Sequence, residues 1–400
     1  MPPDIESRAG RYVQFGSYRC FSPSPLPPVP PIEFGGELQL ALSAADRAVA
    51  RLDGAASTLP NPELFVYAFM RQEATLSSQI EGTQASLEDL FEYEALPEAV
   101  NGQSDVTEII NYIDAMKWGL AQLPSLPLSK RLVQGLHRRL LASGRGAARN
   151  PGSFRQGQNH IGPPGCSIED ATFVPPAVPI MEHALDEWER YLHNRELPVL
   201  VRCALIHAQF ETIHPFWDGN GRVGRMLITL KLCEETILEK PLLYLSLYFR
   251  NYRQEYYDSL QRVRDEGAWE AWLLFFLRGV TLTCKVALDA ARRITLLREN
   301  LIDTANRSSR SSNASRLTDE LFRHPYITIS QAASLLGTTN QGGANVVESL
   351  VSLGMLHEMR KQGRTRLFAF RPYLDLLHET SDDLGPAIGR NDQLAVTQPT

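Results

Sequence analysis

One twelve-residue stretch, from His214 to Arg225, combines residue types that could act on a chain of phosphates. His214 titrates near neutral pH and can accept a proton from an attacking hydroxyl group. Asp218 is an anionic oxygen ligand of the kind that holds Mg²⁺ against phosphates. Arg222 and Arg225 are three residues apart on the first turn of a predicted helix, and their guanidinium groups suit phosphate oxygens. The combination favours transfer chemistry at phosphorus.

Within this stretch, Gly219, Asn220 and Gly221 lead into the start of that helix. Glycine lets the backbone approach an anion closely, and the N-terminus of a helix carries about half a positive charge. The spacing of Gly219, Gly221 and Gly224 also matches a dinucleotide-binding fingerprint, which follows a strand in a βαβ unit. A helix is predicted before the loop here, so we reject that interpretation. The Gly-Lys-Ser/Thr sequence of a Walker loop is not found either.

Each of these residues has a simpler structural interpretation when it is taken alone. A lone histidine is more often a core residue than a catalyst, and Gly-Asn-Gly is more often only a turn. The close grouping of all these types argues against both alternatives. By contrast, His207 lies in the preceding predicted helix and is interpreted as structural, Phe216 is interpreted as a core anchor for the loop, and Trp217 is given no role.

Length and composition indicate the class of protein that carries this loop. The chain has 400 residues, of which 43% are hydrophobic and 22% charged, and this length allows two or three domains. The net charge of −6 gives no overall attraction to nucleic acid or to an anionic membrane. Because no run of about 18 apolar residues and no signal-peptide pattern is found, we expect no transmembrane helix and no membrane partner. Five scattered cysteines without a CxxC pair suggest neither disulfides nor zinc, so we expect a cytoplasmic protein.

Hydrophobic periodicity predicts an almost entirely helical body. The helix with the clearest start and end signals is 62–81, with Asn61 as its N-cap and Gly82 as the residue that ends it. Residues 151–179 are rich in glycine and proline and predict a hairpin or flap on this body. The predicted helices are 38–52, 62–81, 105–121, 129–142, 180–194, 198–213, 222–236, 245–264 and 268–300.

The two ends of the chain differ from the body. Residues 1–35 are proline-dense near their end and predict an irregular, extended arm, laid over the body as a strap. Its expected apolar anchors are Phe21, Leu26, Val29 and Phe34. The predicted domains are an N-terminal arm and helical region (1–104), a catalytic core (105–304), a linker (305–316), a small C-terminal domain (317–376) and a disordered tail (377–400).

The C-terminal domain follows the order of a winged helix-turn-helix. Helices at 329–336 and 340–353 precede two strands at 355–359 and 364–370. Residues 311–373 contain seven Lys/Arg and four Asp/Glu, but the presumed recognition helix carries no basic residue. Phosphate contacts supply most of the affinity for DNA, so a protein-contact or dimerisation role is at least as well favoured. The basic residues of the predicted wing are Arg360, Lys361, Arg364 and Arg366.

The central stretch, which reads HPFWDGNGRVGR, resembles the signature of the Fic family of AMP transferases, His-x-Phe-x-Asp/Glu-Gly-Asn-Gly-Arg-x-x-Arg, at every fixed position. Residues 77–82, SSQIEG, resemble the inhibitory motif Ser/Thr-x-x-x-Glu-Gly/Asn of the subclass with an N-terminal regulatory helix. Residues 154–162 and 173–176 resemble the family's target-docking flap, and a winged-helix tail is a familiar companion of this core.

The resemblance implies an all-α Fic-type bundle with a small β-hairpin flap. It implies a protein adenylyltransferase that moves AMP from ATP to a hydroxyl group of a target protein, and to itself, with Mg²⁺. His214 would be the base, and Asp218 would hold the metal ion. The phosphates would be bound by the backbone of Gly219, Asn220 and Gly221 and by the side chains of Arg222 and Arg225.

The same resemblance assigns residues outside the central stretch. Ser77 and Glu81 would be inhibitory, because Glu81 would pair with Arg225 and withdraw it from the terminal phosphate. Tyr256 and Tyr257 would flank the adenine, with Arg264 near that end. The flap residues Asn159, His160, Ile161 and Gly162 would lie along the nucleotide and pair with the target backbone as an added strand.

Other functions stay open from the sequence. The chain could be a DNA-binding regulator that acts through its winged helix, although the recognition helix is not basic. A related transferase with another nucleotide donor, such as a phosphocholine transferase, also fits the motif. Kinase-type relatives lack the full glycine pair and the second arginine, whereas Gly219, Gly221 and Arg225 are present here. A catalytically inactive scaffold would be expected to lack His214 or Asp218. A homodimer is possible, and the target could be modified on Ser, Thr or Tyr.

Overall fold

The computed structural model describes six stretches of the chain, and all structural statements below refer to them. These stretches are residues 6–58, 61–97, 103–163, 165–308, 312–362 and 365–382.

The N-terminal arm contains a small antiparallel sheet that the sequence interpretation missed. Strands β1 (Glu6–Ser7), β2 (Gly10–Phe15) and β3 (Tyr18–Pro23) lie in the order β1-β2-β3. Aromatic residues on both sides of the turn at Gly16, with Val13 on the first strand, favour this hairpin, and the proline-dense stretch begins at its last residue, Pro23. The prediction of an irregular arm is therefore wrong for residues 6–23.

The arm does lie against the body as a strap. Phe21 is fully buried, and Leu26 and Phe34 pack against the core. Val29 is 78% exposed, so it is not an anchor. Ile32, which was not predicted, is buried instead.

The body is helical, as predicted, with two differences in its elements. Helix α3 begins with a capping box between Ser86 and Asp89 that the sequence interpretation missed. The predicted helix 245–264 is interrupted at Tyr252, whose φ of −113° and ψ of 40° are not helical. The helices are α1 (Gly36–Thr58), α2 (Pro62–Ile80), α3 (Leu87–Ala95), α4 (Gln103–Gln122), α5 (Lys130–Leu140), α6 (Val178–Leu192), α7 (Val199–Ile213), α8 (Asn220–Glu234), α9 (Ser246–Asn251), α10 (Arg253–Glu266) and α11 (Trp269–Ser308).

Helices α7 and α8 form the centre of the body and are buried along almost their whole length. They pack against each other, and α2 packs against α8, α4 and α9. This arrangement places the end of α2 beside the loop that joins α7 to α8. Asn61 precedes α2 as predicted, but its side chain makes no capping hydrogen bond.

Helix α11 is long and apolar enough to cross a membrane by length and composition alone. Of its most apolar 18-residue window, 56% is buried inside the protein. The core helix of a soluble protein meets the same criteria, so this helix is weak evidence for a membrane span.

The C-terminal module contains the predicted helix-turn-helix and hairpin, with one added strand and two added helices. Its elements are α12 (Asn313–Glu320), β4 (Tyr326–Thr328), α13 (Ile329–Leu336), α14 (Asn340–Ser352), β5 (His357–Gln362), β6 (Thr365–Ala369) and α15 (Arg371–Asp382). The three strands pair in the order β4-β6-β5. Gly337, in the left-handed region, ends α13 at the predicted turn. The assignment of this module as a winged helix stays a prediction.

Two predicted irregular segments are partly helical. The predicted linker 305–316 is occupied at its start by the end of α11 and at its end by α12, while residues 309–311 lie outside the described part of the chain. The predicted tail begins inside α15, and residues 383–400 lie outside the described part. Small polar residues are acceptable on exposed helix faces, which explains why composition alone misjudged both segments.

The C-terminal module is fixed to α3 through Glu88. The Glu88 carboxylate accepts a hydrogen bond from the Tyr326 hydroxyl at 2.9 Å and lies 2.6 Å from Nε2 of His378 and 3.5 Å from Arg371 Nη1. Gln331 Nε2 donates to a backbone carbonyl at the end of α3, 2.9 Å away. The helix that follows α2 is therefore held by the module at both of its ends.

Candidate active site

The loop between α7 and α8 is shaped by two left-handed residues. His214 ends α7 with φ 49° and ψ 60°, and its N–H donates to the carbonyl of Phe210 at 2.9 Å. Gly219 has φ 77° and precedes α8. A positive φ is uncommon for a residue with a side chain, so the conformation at His214 depends on the surrounding contacts.

Asn220 closes the loop through its side chain. Its Oδ1 accepts from the backbone N–H of Phe216 and its Nδ2 donates to the carbonyl of the same residue, both at 2.9 Å. Phe216 is fully buried and stacks on His137 at 3.7 Å between ring centroids, so the prediction that it anchors the loop is confirmed. His137 Nδ1 accepts from the N–H of Gly152 at 2.8 Å. Its Nε2 therefore carries the proton and donates to the carbonyl of Asp218 at 3.0 Å.

His214 lies in the wall of a cleft that also includes Glu81, Gly221 and Arg225. Burial, with the positive charge of Arg264 next in importance, lowers the pKa of His214 to about 3. The imidazole is therefore neutral at neutral pH, which is the state in which it can accept a proton.

Glu81 occupies the anion-binding end of α8. Its Oε1 lies 2.7 Å from Nη2 of Arg225, whose side chain is only 2% exposed. A Cβ added to Gly221 would stand 2.2 Å from the same oxygen, so the carboxylate rests on the glycine backbone of the first helical turn. Burial alone would raise the pKa of Glu81, but the charge and hydrogen bond of Arg225 outweigh it, and the pKa is lowered. The chain's own carboxylate thus fills a position suited to an anionic ligand.

Ser77 holds Arg225 from the same side as Glu81. Its Oγ accepts from Arg225 Nε at 2.8 Å, and its carbonyl accepts from Arg225 Nη2 at 2.9 Å. The structure therefore brings together Ser77, Glu81 and Arg225, as the sequence predicts.

Arg222 is placed differently from Arg225. It is 2% exposed and lies beside two carboxylates, with Nη1 3.4 Å from Glu108 Oε2 and Nη2 3.3 Å from Asp218 Oδ1. Glu108 also accepts a hydrogen bond from the Thr83 hydroxyl at 2.9 Å, just after the inhibitory motif. In this conformation Arg222 supports Asp218 and does not line the cleft. Glu108 was not identified from the sequence, because it lies on α4, far along the chain.

Asp218 offers a partly exposed carboxylate to a metal ion that is held mainly by phosphates. Its side chain is 37% exposed, and its Oδ1 accepts from the N–H of Gly219 at 2.6 Å. Among the described residues, no group of three or more His, Cys, Asp and Glu side chains could hold a metal ion. Mg²⁺ commonly uses only one or two carboxylates together with substrate phosphates, so a single carboxylate here is compatible with it.

The predicted flap crosses the mouth of the cleft. Ile161 and Phe173 form an antiparallel bridge, with N–H to carbonyl distances of 2.8 and 3.0 Å. Ile161, His160 and Gly162 line the cleft. Asn159 instead ties the flap to the loop, because its Nδ2 donates to the carbonyl of Phe216 at 3.0 Å.

Of the two predicted adenine-contacting tyrosines, only Tyr257 lines the cleft, and it is 38% exposed. The prediction for Tyr256 is wrong. Tyr256 is 1% exposed, and its hydroxyl lies 2.8 Å from Nε2 of His207 in the core. His207 Nδ1 lies 3.0 Å from the carbonyl of Gly224, so its structural assignment is confirmed. Arg264 lines the cleft as expected.

Sequence reasoning also missed Glu211, a buried acid in the cleft wall. Its Oε1 has no hydrogen-bond partner among the described residues. Burial, together with the nearby charge of Glu81, raises the pKa of Glu211 to about 7, against the opposing effect of Arg225. Its position three residues before His214, in a helix that ends at the cleft, was the available signal.

Comparison with known proteins agrees with this arrangement. Residues 39–121 match the Fic/DOC family N-terminal model, and residues 127–232 match the Fic/DOC family model. A probable protein adenylyltransferase of Aquifex aeolicus is 28% identical over 203 residues, which cover 50% of this chain and 58% of that protein. The protein adenylyltransferase Fic of Aedes aegypti is 29% identical over 224 residues, which cover 54% of this chain and 41% of that protein.

The fold also has a solved counterpart. The crystal structure of a Fic family protein from Desulfovibrio desulfuricans G20 superposes with a TM-score of 0.54 at 16% identity, covering 85% of this chain and 97% of the other. At that identity the similarity establishes the fold alone. The two family models show that residues 39–121 carry the N-terminal region of the Fic/DOC family and that residues 127–232 carry its Fic domain.

Proposed function

We propose that the protein is a protein adenylyltransferase that transfers AMP from ATP to a hydroxyl group of a target protein, and that Glu81 restrains this activity. The observation that carries the proposal is the pairing of a neutral histidine with an anion site in one cleft. His214 and the first turn of α8 face the same space, and a carboxylate already rests on Gly221.

In the proposed reaction, His214 takes the proton of the target hydroxyl as its oxygen attacks the α-phosphorus of ATP. The new bond joins that oxygen to AMP, the bond between the α- and β-phosphates breaks, and diphosphate leaves. The backbone N–H groups at Asn220 and Gly221 are suited to bind the phosphates, whereas the N–H of Gly219 donates to Asp218 in this conformation. Asp218 would hold Mg²⁺, which neutralises phosphate charge when it is bound.

The proposed restraint follows from the contacts of Arg225. While Glu81 and Ser77 hold this arginine, it is not free to bind the terminal phosphate of ATP. ATP bound without that contact would not present its α-phosphorus correctly to the hydroxyl. We propose that Glu81 must leave Arg225 before transfer is efficient, and that other proteins and the chain itself are the hydroxyl donors.

The test compares wild type, Glu81→Gly and Glu81→Gly/His214→Ala with ATP labelled at the α-phosphate. We expect Glu81→Gly to raise self-labelling at least about tenfold, which corresponds to roughly 1.4 kcal/mol of barrier, and the double variant to be silent. Glu239→Gly, an exposed loop substitution outside the cleft lining, is the matched control and should behave as wild type. Equal labelling of wild type and Glu81→Gly would contradict the restraint.

Labelled donors also separate the alternative chemistries. Label from the γ-phosphate of ATP would indicate phosphate transfer, and label from CDP-choline would indicate phosphocholine transfer. Mass spectrometry of the labelled peptides in a cell lysate would identify the target and show whether Ser, Thr or Tyr is modified. A cytoplasmic location and a homodimer are retained as proposals.

A role in DNA binding is less well supported. Helix α14 carries no basic residue, and Arg366 lies 2.6 Å from Glu348 and 2.7 Å from Glu358, which offset its charge. The side chains of residues 360–364 lie outside the described part of the module. Tight binding of duplex DNA by the full chain, with a steep salt dependence, would reverse this preference.

A further inference from the structure

Arg155 is a buried arginine whose hydrogen bonds all go to backbone carbonyls. Its side chain is 1% exposed, and among the described residues it pairs with no carboxylate. Its Nε donates to the carbonyl of His214 at 3.0 Å, its Nη1 donates to Gly157 at 2.9 Å, and its Nη2 donates to Pro176. Its own backbone N–H donates to the carbonyl of Pro215 at 2.9 Å.

These acceptors come from three separate parts of the chain. His214 and Pro215 belong to the catalytic loop, Gly157 lies in the first part of the flap (154–162), and Pro176 is the last residue of its second part (173–176). A buried charge without an opposite partner is costly unless its hydrogen bonds are satisfied. The planar guanidinium group can bind several carbonyls in a fixed geometry, which neither lysine nor an apolar side chain can do.

We propose that Arg155 is a positioning residue of the transfer reaction, which fixes the backbone of His214 and both ends of the flap in one frame. This inference rests on the proposed function. Without Arg155, the left-handed conformation at His214 would lose its support on the flap side, and the imidazole could shift relative to the nucleotide. A misplacement of about 1 Å in a reacting group can cost about a hundredfold in rate.

The charge of Arg155 has a second, separable effect on His214. The charged groups that act on this imidazole are Arg155, Arg264 on α10, and Glu81. The two arginines lower the pKa of His214, whereas Glu81 and a backbone contact with Glu211 raise it. Burial lowers the pKa of Arg155 only to about 10, so it stays charged in the range of an enzyme assay. Removal of this charge should raise the pKa of His214, and the fall of the rate on the acidic side should move to higher pH.

The experiment places Arg155→Met and Arg155→Lys in the Glu81→Gly background, so that restraint by Glu81 is absent in every variant. We measure kcat, KM for ATP and the pH profile of AMP transfer from about pH 2 to pH 8, a range that includes the pKa of His214. Arg155→Met should lower kcat about ten- to a hundredfold, with KM changed less than about threefold and with its acidic limb at higher pH. Arg155→Lys keeps the positive charge but loses the planar guanidinium group. It should therefore recover part of kcat, and its rate should fall on the acidic side at the same pH as that of the Glu81→Gly parent.

Arg195→Met, an exposed loop substitution, is the matched control and should leave all three quantities unchanged. Thermal unfolding checks that the variants are folded. If Arg155→Met does not fold, the comparison of Arg155→Lys with the Glu81→Gly parent tests the proposal. Parental kcat and pH profile in the tested variant would overturn the proposal, as would an effect confined to KM. Absence of AMP transfer in Glu81→Gly itself would instead refute the proposed function.

Discussion

Glu81 and Glu88 stand on either side of one short turn, and each connects distant parts of the chain. Their side chains are similarly exposed, at 31% and 27%. Their arginine partners differ, because Arg225 is 2% exposed and Arg371 is 31% exposed. Two similar carboxylate–arginine contacts therefore lie in different environments. The Glu81–Arg225 contact lies inside the cleft, and the Glu88–Arg371 contact lies on the docking surface, where α3 meets the C-terminal module.

The helix termini widen this difference. Glu88 lies in the first turn of α3, where the helix dipole favours a carboxylate. Glu81 follows the last turn of α2, where its own helix disfavours it, and is stabilised by Arg225 and the start of α8. Those are the groups that an anionic ligand would use. Glu81 is thus suited to exchange with a ligand, whereas Glu88 is suited to fix the C-terminal module permanently.

The largest expected effect tests whether Glu81 acts through chemistry at His214. In the Glu81→Gly background, His214→Ala should lower AMP transfer by about 10²–10⁴, because it removes the general base. Nucleotide binding, measured by calorimetry, should persist, because the phosphate-binding groups are intact. Transfer at the rate of the Glu81→Gly parent would show that His214 is not the base.

The next effect concerns the metal ion at the same end of α8. Asp218→Asn should raise the Mg²⁺ concentration needed for half-maximal transfer by about tenfold, because an amide is a poorer ligand for a hard dication. A Mg²⁺ titration of Glu81→Gly with and without this change measures the shift. Unchanged activity at submillimolar Mg²⁺ would argue against Asp218 as a ligand.

How far the sequence predicts this site depends on how local each contact is. The placement of His214, Gly221 and Arg225 in one cleft is predictable because these residues lie close together along the chain, and the pairing of Glu81 with Arg225 follows from the motif at the end of α2. Tyr256 fails because neighbouring residues on a helix point in different directions, so only Tyr257 faces the cleft. Arg155 could not be assigned because its partners are backbone carbonyls, which leave no pattern in the sequence.

The same reasoning applies to the fold. The bounds of α7 are predicted almost to the residue, because apolar residues fill most of its 15 positions between Pro198 and the loop at His214. Helix α3 has only nine residues and begins with a capping box, so its hydrophobic pattern is too short to be distinctive. The sheet of β1–β3 was not predicted, because the proline-dense stretch next to it indicated an irregular arm over all of residues 1–35.

A smaller effect is expected at the docking surface. Glu88→Ala removes the acceptor shared by Tyr326 and His378 and should lower the free energy of unfolding by about 1 kcal/mol, since such partly exposed contacts are individually weak. Self-labelling should change less than about twofold, an estimate that follows from the distance of Glu88 from the chemistry. Urea denaturation and the labelling assay measure the two quantities. A tenfold activation by Glu88→Ala would show that docking and restraint are coupled.

The smallest contrast compares the starts of α2 and α3, the helices that lead up to Glu81 and carry Glu88. Ser86 Oγ accepts from the N–H of Asp89 at 3.1 Å, and Asp89 accepts in return from the N–H of Ser86 at 2.8 Å. Asn61 makes no such bond. Ser86→Ala should therefore cost about 1 kcal/mol in urea denaturation, whereas Asn61→Ala should cost only a few tenths. Because the cap stabilises α3, which carries Glu88, Ser86→Ala should also speed limited proteolysis within α3. Equal costs for the two substitutions would mean that α3 is held by the module alone and that its cap contributes nothing.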